Sequence, residues 1–387
     1  MTVFRRKWRI FSLATLSGLV LILFCILGLV EYQYYICLSQ CQEERLREHH
    51  HFVADLRKIT VSVSSRNSSR ISSISKALPS NMSVENTNEI SMSNYTKPTT
   101  SALVGLYLKE PIEEHLFTYI HNPDGTCFHA NGTRMDVYLL FFVPSAPGNF
   151  LRRNAIRGSY GKRDTWSIHG GGQVVTVFLL GSPSDAWLQK KIDIESDQHG
   201  DIVQESFVDS YRNLTLKTMM GFKWTRNHCR HAHFAMKIDD DTSVVQRRIL
   251  AILEDAPHSK SLLGCVFEKP PVVRSPRDKF YISKEYYPDD FFPAYSMGAG
   301  YILTTDLVDA IFNVSTTIPI FPFEDVFVGM CLRRLSIKPR NVGRFLYRPS
   351  YKHLLTGDVN EIAAKYAIAT NIPPRYMEYF YNRFIVK

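Results

Sequence analysis

Residues 233–245 read HFAMKIDDDTSVV, an apolar run that ends in three consecutive carboxylates. Phe234, Ala235, Met236 and Ile238 show no alternation of polar and apolar positions. Such continuous apolar character marks a strand covered on both faces, as in a parallel sheet flanked by helices. Asp239, Asp240 and Asp241 then stand at the strand's carboxyl end. Two like charges about 4 Å apart repel by roughly 4 kcal/mol at an effective dielectric near 20. In an exposed turn, where Asp is common, water screens much of that repulsion. At the mouth of a buried strand it persists unless the carboxylates hold a proton or a cation. The neighbouring sequence decides between the two.

Upstream, strand and helix patterns alternate. DVYLLFFVP (136–144), QVVTVFLLG (173–181) and DIVQESF (201–207) read as strands. Between and after them, NFLRRNAIRGSYG (149–161), DAWLQKKIDIESDQHG (185–200) and NLTLKTMMGFKWTRNHC (213–229) read as helices. HFAMKI is the fourth strand, followed by a helix in VVQRRILAILEDA (244–256) and a strand in LLGCVF (262–267). This order predicts an α/β fold with a largely parallel sheet and helices on both faces. Ligands in such sheets bind beyond the carboxyl ends of the strands, where the Asp triplet lies. Residues 270–310, rich in Tyr, Phe, Pro and Gly, read as a substrate-facing region.

The chain has 387 residues and a formal charge of +9. Its basic residues are scattered, which argues against a nucleic-acid partner. The exception is RRKWR at 5–9, directly before IFSLATLSGLVLILFCILGLV at 10–30, a stretch without a charged side chain. That length spans a bilayer core of about 30 Å, and the flanking charges place the N-terminus in the cytoplasm. The expected order is therefore a cytoplasmic tail (1–9), a transmembrane signal anchor (10–30), a lumenal stem (31–104) and a folded domain (105–387). The stem contains TVSVSSRNSSRISS from residue 60, too poor in apolar side chains to offset the entropy of ordering. Asn-x-Ser/Thr acceptors at Asn67, Asn81, Asn94, Asn131, Asn213 and Asn313 all follow the anchor, consistent with a glycosylated lumenal side. Cys37 and Cys41 are placed to crosslink a homodimer through the stem. Cys127, Cys229, Cys265 and Cys331 remain for the folded domain, where two disulfides are expected and the pairing is open.

Three stretches can carry chemistry. Asp239 and Asp241, one residue apart in extended backbone, project to one side and suit a hard divalent cation such as Mg²⁺ or Mn²⁺. In PFEDVFVGMCLRRLSIKP (322–339), Phe327, Val328, Cys331, Leu332 and Leu335 make an apolar helix face, with Glu324 and Asp325 in the first turn. Acids there complement the helix dipole; a carboxylate so placed also serves as a general base. Arg153 and Arg157, four apart, form either a solvated basic face or a pair of guanidinium contacts to a diphosphate. Motifs for a nucleophile elbow, a phosphate-binding P-loop or a zinc protease are absent from the sequence.

Five elements, in order, resemble those of the β-1,3-glycosyltransferases (glycosyltransferase family 31). RRNAIRGSYG is similar to R-R-x-A-I-R-x-T-W-G, and FVDSYRNLTLKTMMGFKW to D-F-x-D-x-Y-x-N-L-T-x-K-T. FAMKIDDD is similar to F-x-x-K-x-D-D-D, YSMGAGYILT to Y-x-x-G-x-G-Y-x-x-S, and FEDVFVGMC to E-D-V-x-x-G-x-C. The resemblance implies a GT-A type fold, a UDP-sugar donor, a glycan acceptor, Mn²⁺ or Mg²⁺, and transfer with inversion. It assigns Asp325 as base and Asp239 and Asp241, with His353, as metal ligands. It places Arg153, Arg157, Lys237 and Asp240 on the nucleotide side. It also implies a Golgi membrane location. Ser159-Tyr160 stands where Thr-Trp is usual, which keeps an aromatic ring there. Galactose, N-acetylglucosamine and N-acetylgalactosamine all remain open as the donor sugar, and the acceptor glycan on protein or lipid is not specified. A membrane-anchored glycan-binding protein without turnover is the alternative from another class.

Overall fold

The computed structural model describes residues 117–162, 165–347 and 358–384. The expected tail, anchor and stem lie outside the described residues, as do Asn67, Asn81, Asn94 and His353. Among the described residues no helix is long and apolar enough to cross a membrane.

The chain runs through β1 (Tyr119–His121), β2 (Val137–Pro144), α1 (Phe150–Arg157), β3 (Gln173–Ser182), α2 (Ala186–His199), β4 (Ile202–Val208), α3 (Leu214–His228) and β5 (Phe234–Ile238). It continues with β6 (Ser243–Val244), α4 (Gln246–Glu254), β7 (Leu262–Phe267), β8 (Tyr295–Thr304), α5 (Thr305–Ser315) and α6 (Glu324–Arg334). The last elements are β9 (Arg340–Asn341), β10 (Leu346–Tyr347), α7 (Val359–Lys365), β11 (Ile368–Ala369) and α8 (Pro374–Asn382).

The main sheet has eight strands in the order β1-β4-β3-β2-β5-β8-β7-β9. Strand β2 shows why its centre is buried. Leu140 and Phe142 point into a core with Met220 and Phe222 of α3, while Leu139, Phe141 and Val143 point into a second core with Ile156 of α1. All five are fully shielded from water. Each contributes about 1.5–3 kcal/mol of burial free energy, whichever face it occupies, so neither face needs polar residues. Helix α2 is bounded by local chemistry. Asp185 caps its start by accepting from the Trp187 N–H at 2.8 Å, and Gly200, at φ 59°, supplies the left-handed residue that ends it.

The sheet is more mixed than expected. Strands β4, β3, β2 and β5 form the parallel block. Strand β8 then enters between β5 and β7, antiparallel to both. It sets Tyr301 opposite Lys237 and Gly300 opposite Ile238, so the amino-terminal part of β8 lies beside the mouth of β5. Its sequence, YSMGAGYILT, lacks both an apolar run and a clean alternation at that end, which is why 270–310 reads as a loop-like region.

A small second sheet, β10-β11-β6, forms where β6 leaves the Asp triplet. Cys127 and Cys229 are disulfide-bonded across 102 residues, tying the segment before β2 to the end of α3. A loop of about that size is worth roughly 4.7 kcal/mol in the chain-entropy account. The expected second disulfide is not formed. Cys331 packs into the core beneath α3 and α6, whereas Cys265 packs against the core on the other side of the sheet. Burial pushes the Cys331 thiol up to about 12, which leaves it unreactive. Asn131 and Asn313 are exposed, while Asn213 Nδ2 donates to the Val208 carbonyl at 2.7 Å.

Candidate active site

The Asp triplet stands at the carboxyl end of β5, and each member has a different neighbourhood. Asp239 pairs with Lys237 Nζ at 2.5 Å and is 38 % exposed. Asp240 Oδ2 accepts from Ser145 Oγ and Asn149 Nδ2, both at 2.8 Å, in the loop after β2. Asp241 Oδ1 accepts from Thr242 Oγ1 at 3.2 Å and from Thr370 Oγ1 at 3.4 Å. The Ile372 N–H also donates to the Asp241 carbonyl at 2.8 Å, so the segment after β11 clasps the triplet. Partial burial, and then the Asp239 charge, push the Asp241 carboxyl up to about 6. Burial is the larger cause; repulsion from Asp239 and Asp240 adds to it, and Arg152 reduces it.

Arg152 is the contact the sequence reading missed. Its Nη1 lies 3.7 Å from Asp240 Oδ1 and 3.9 Å from Asp241 Oδ2, too far for a hydrogen bond. That nitrogen is shielded from water and has no hydrogen-bond partner among the described residues. A buried unsatisfied donor costs about 1–3 kcal/mol, so Arg152 is poised for an anionic group entering beside the triplet. Arg153 has a different task. It is wholly buried, with Nε and Nη2 on Glu195 at 2.9 and 2.6 Å, and with Nη1 and Nη2 on the carbonyls of Ala146 and Pro147 at 2.8 and 3.0 Å. Arg157 binds Asp201 in a fork at 2.7 and 2.8 Å and also reaches Glu195 at 2.7 Å. Burial works against the Glu195 charge, but the two guanidinium groups outweigh it and hold its pKa below the usual range. Arg153 and Arg157 therefore brace the loop that carries Ser145 and Asn149.

Lys217 of α3, also missed, does similar bracing. It is buried, contacts Asp209 at 2.8 Å and donates to the Ser145 carbonyl at 2.8 Å. Asp209 in turn accepts from the Gly181 N–H at 2.7 Å. The carboxyl ends of β2, β3 and β4 are thus held by one cation.

Lys237 joins the triplet to the opposite wall. It is 1 % exposed and contacts Asp239, the Gly298 carbonyl and Glu324 Oε1, the last at 3.0 Å. Burial opposes its charge, but the Asp239 and Glu324 carboxylates outweigh burial and raise its pKa above the usual lysine value. Glu324 Oε2 accepts from Tyr301 Oη at 3.0 Å. Next to it, Asp325 Oδ2 accepts from the Gly298 N–H at 3.2 Å and Oδ1 from the Val326 N–H at 2.9 Å. Burial, and then the Glu324 charge, push the Asp325 carboxyl up to about 7, the range suited to a base at neutral pH.

Two glycines allow this approach. A Cβ on Gly298 would lie 2.8 Å from Glu324 Oε1 and 3.2 Å from Asp325 Oδ2. One on Gly329 would lie 2.7 Å from Tyr295 Cβ, so α6 reaches β8 only because that position is bare. Tyr160, expected as an aromatic plate, is buried against Phe141 with ring centroids 5.2 Å apart.

The donor set suits a hard cation that keeps phosphate ligands. Among the described residues no cluster of three or more His, Cys, Asp or Glu side chains is arranged to hold an ion unaided. Asp240 is engaged by Ser145 and Asn149 and Asp239 by Lys237, while Arg152 faces Asp240 and Asp241, so the three carboxylates are crowded together. Mg²⁺-type sites are commonly built from one or two carboxylates with substrate phosphate completing the shell, and the residues present fit that description.

A family model described as Galactosyltransferase matches residues 151–343. Beta-1,3-galactosyltransferase 5 of Homo sapiens is 36% identical over 240 residues, covering 60% of this chain and 75% of that protein. Beta-1,3-galactosyltransferase 1 of Mus musculus is 34% identical over 232 residues, covering 59% of this chain and 68% of that protein. Among solved structures, mouse xyloside xylosyltransferase 1 is similar at a TM-score of 0.32 with 10% identity, covering 62% of this chain and 99% of that chain. So loose a superposition bears on neither substrate nor mechanism.

Proposed function

We propose that this chain, which belongs to the β-1,3-glycosyltransferase family and is a hexosyltransferase, moves galactose from UDP-galactose to a hydroxyl of an acceptor glycan in β-1,3 linkage. The anomeric centre inverts in this reading. The observation that carries it is the bridge through Lys237. One buried ammonium touches Asp239 of the triplet and Glu324 of the base helix, so the carboxylate cluster and Asp325 face the same strand end.

Asp325 takes the proton from the acceptor hydroxyl, and its elevated pKa matches that task. Its two N–H contacts fix the carboxylate relative to Gly298 and the helix start. Arg152 meets the diphosphate, replacing the partner that its Nη1 lacks. Asp239 and Asp241 would hold Mn²⁺ or Mg²⁺, whose chemistry there is neutralisation of charge on the departing diphosphate. His353 completes that assignment as a third ligand. In a type II Golgi membrane protein with a glycosylated stem, the site faces the lumen, where UDP-sugars and acceptor glycans meet. A homodimer joined through the stem cysteines is compatible with that placement.

The test uses the full-length chain with UDP-galactose, UDP-N-acetylglucosamine and UDP-N-acetylgalactosamine, Mn²⁺, and a panel of neutral and anionic glycan acceptors. Acceptor-dependent UDP release is expected foremost from UDP-galactose, with a β-1,3 linkage in the product by NMR. A preference for another donor replaces the sugar assignment. Acceptor binding with no UDP release from any donor overturns catalysis, and unchanged activity in EDTA overturns the metal assignment.

Arg152→Ala is expected to raise the KM for the UDP-sugar by about 10–100-fold, since a hydrogen bond to a charged group contributes roughly 1.5–3 kcal/mol. Steady-state kinetics at saturating acceptor check this. Equal KM values for wild type and variant remove Arg152 from the donor site.

A further inference from the structure

A cavity of about 310 Å³ opens beside the helix that carries Asp325. Tyr211, Arg212, Lys279, Pro322 and Phe323 line it. Phe323 is the residue on which α6 starts, two positions before Asp325. Tyr211 and Arg212 belong to a single helical turn that follows the carboxyl end of β4, the side of the sheet on which ligands bind. The parts are mechanically joined. Thr215 Oγ1 donates to the Phe321 carbonyl at 2.6 Å, and the Phe280 and Phe323 rings meet edge-on at 5.6 Å. Lys279 is thereby carried next to the base helix, with Nζ 4.9 Å from the Phe280 ring centre and 5.8 Å from that of Tyr211.

The lining has a definite chemistry. Tyr211, 62% exposed, presents an aromatic ring on which the C–H face of a sugar ring can lie. Arg212 and Lys279 are both exposed cations, and among the described residues that line the cavity none is acidic. Asp278, the nearest acid in sequence, accepts from the Phe280 N–H at 2.8 Å and is not part of the lining. Two cations flanking an aromatic ring match a sugar that carries a negative charge, since guanidinium and ammonium groups recognise oxyanions by charge-assisted hydrogen bonds. A larger cavity, about 670 Å³, includes Met330, Arg333 and Arg334 toward the other end of α6. At 1.5 Å per residue, Arg333 is about 12 Å along the helix from Asp325, too far to hold the sugar that reacts.

We propose that the cavity between Tyr211, Lys279 and Phe323 is the acceptor subsite, and that it selects a glycan with an anionic substituent on or next to the reacting sugar. This rests on the reading of Asp325 as the acceptor-side base. Sulfate ester, phosphate ester and carboxylate share the required chemistry.

The test is a titration of the full-length chain, with UDP and Mn²⁺ present. The probes are benzyl β-glycosides of galactose and N-acetylglucosamine in neutral, 6-sulfated and 6-phosphorylated forms, with benzyl β-glucuronide as the carboxylate arm. At least one anionic probe is expected to bind about 10–100-fold tighter than its neutral counterpart, the range for one or two charge-assisted contacts. The arm that does so identifies the anion. Arg212→Ala and Lys279→Ala should each reduce the preference, and the double variant should abolish it. Arg230→Ala, which removes an exposed cation paired with Asp309, should leave it intact. Both lining cations are exposed, so melting temperatures should stay unchanged. Equal binding of neutral and anionic probes overturns the proposal, as does a preference that survives the double variant. Selective binding in a chain that turns over no UDP-sugar keeps the subsite and overturns the transferase reading. Turnover with no anionic preference does the reverse.

Discussion

Asp325→Asn is expected to lower kcat by about 10²–10⁴-fold, the usual contribution of a positioned general base. The KM for the UDP-sugar should change little, because Asp325 lies across β8 from Arg152 and the triplet. Asn keeps the shape of the side chain, but its single carbonyl oxygen can accept from only one of the Gly298 and Val326 N–H groups, which Asp325 engages with separate oxygens at 3.2 and 2.9 Å. The main loss is therefore one of basicity, with one hydrogen bond given up beside it. A pH profile supplies a second check. With the carboxyl raised to about 7 by burial and then by the Glu324 charge, kcat/KM in the wild type should rise through that pH and level off above it. The same shift has a consequence of opposite sign for stability. An acid whose pKa is higher when folded binds more protons folded than unfolded, so its contribution to stability falls as pH rises from about 4 to 7. The neutral Asn side chain removes that loss. The lost hydrogen bond offsets part of that gain, so the variant should melt close to wild type at pH 8 while being nearly inactive. Retention of full transfer activity, or a melting point well below wild type at pH 8, rejects the assignment of Asp325 as a destabilised base.

The parts of this fold that were legible in the sequence are those set by local pattern. Leu139 to Val143 had to be a doubly covered strand because no position in the run is polar, and Asp185 with Gly200 marked both ends of α2. The place of the triplet followed from the same logic, since FAMKI had to be buried and DDD had to stand at its mouth. What remained illegible depends on packing between distant segments. Strand β8 could not be read because Gly298 and Gly300 are there for the approach of Glu324 and of β5, and not for strand propensity. The i, i+4 spacing of Arg153 and Arg157 did place both on one face, but that face turns inward to Glu195 and Asp201. The arginine that looks at the triplet is Arg152, one position away. A period of 3.6 residues groups side chains without stating which group meets the ligand. Thr370 was equally hidden, because its meeting with Asp241 spans 129 residues of chain. The failure of the second disulfide has a similar origin: an even count of cysteines carries no information about which side of a sheet each one occupies.

Lys237→Met is expected to destabilise the folded domain by about 3–5 kcal/mol, the typical cost of breaking a buried ion pair from one side. For a domain of this size that corresponds to a fall in melting temperature of roughly 6–20 °C. The reason is the carboxylate left behind. Asp239 is 38% exposed and can turn to water, whereas Glu324 is 3% exposed and cannot. Glu324 keeps Tyr301 Oη at 3.0 Å and Thr218 Oγ1 at 3.4 Å on Oε2, but its Oε1 is left facing the missing ammonium. Neutralising the survivor should therefore restore much of the loss. Glu324→Gln in the Lys237→Met background retains an acceptor for Tyr301 without a buried charge, so the double variant should be more stable than Lys237→Met alone. A double-mutant cycle measured by thermal or denaturant unfolding reads this coupling directly. Additive losses in the cycle contradict the pairing of Lys237 with Glu324. The coupling also separates structure from chemistry, because Lys237 is the link between the triplet and the base helix. The double variant, though refolded, has lost that bridge, and its transfer rate should stay below wild type by more than its stability accounts for. Wild-type kcat in the restabilised double variant means that the two walls of the site hold their relative position without Lys237.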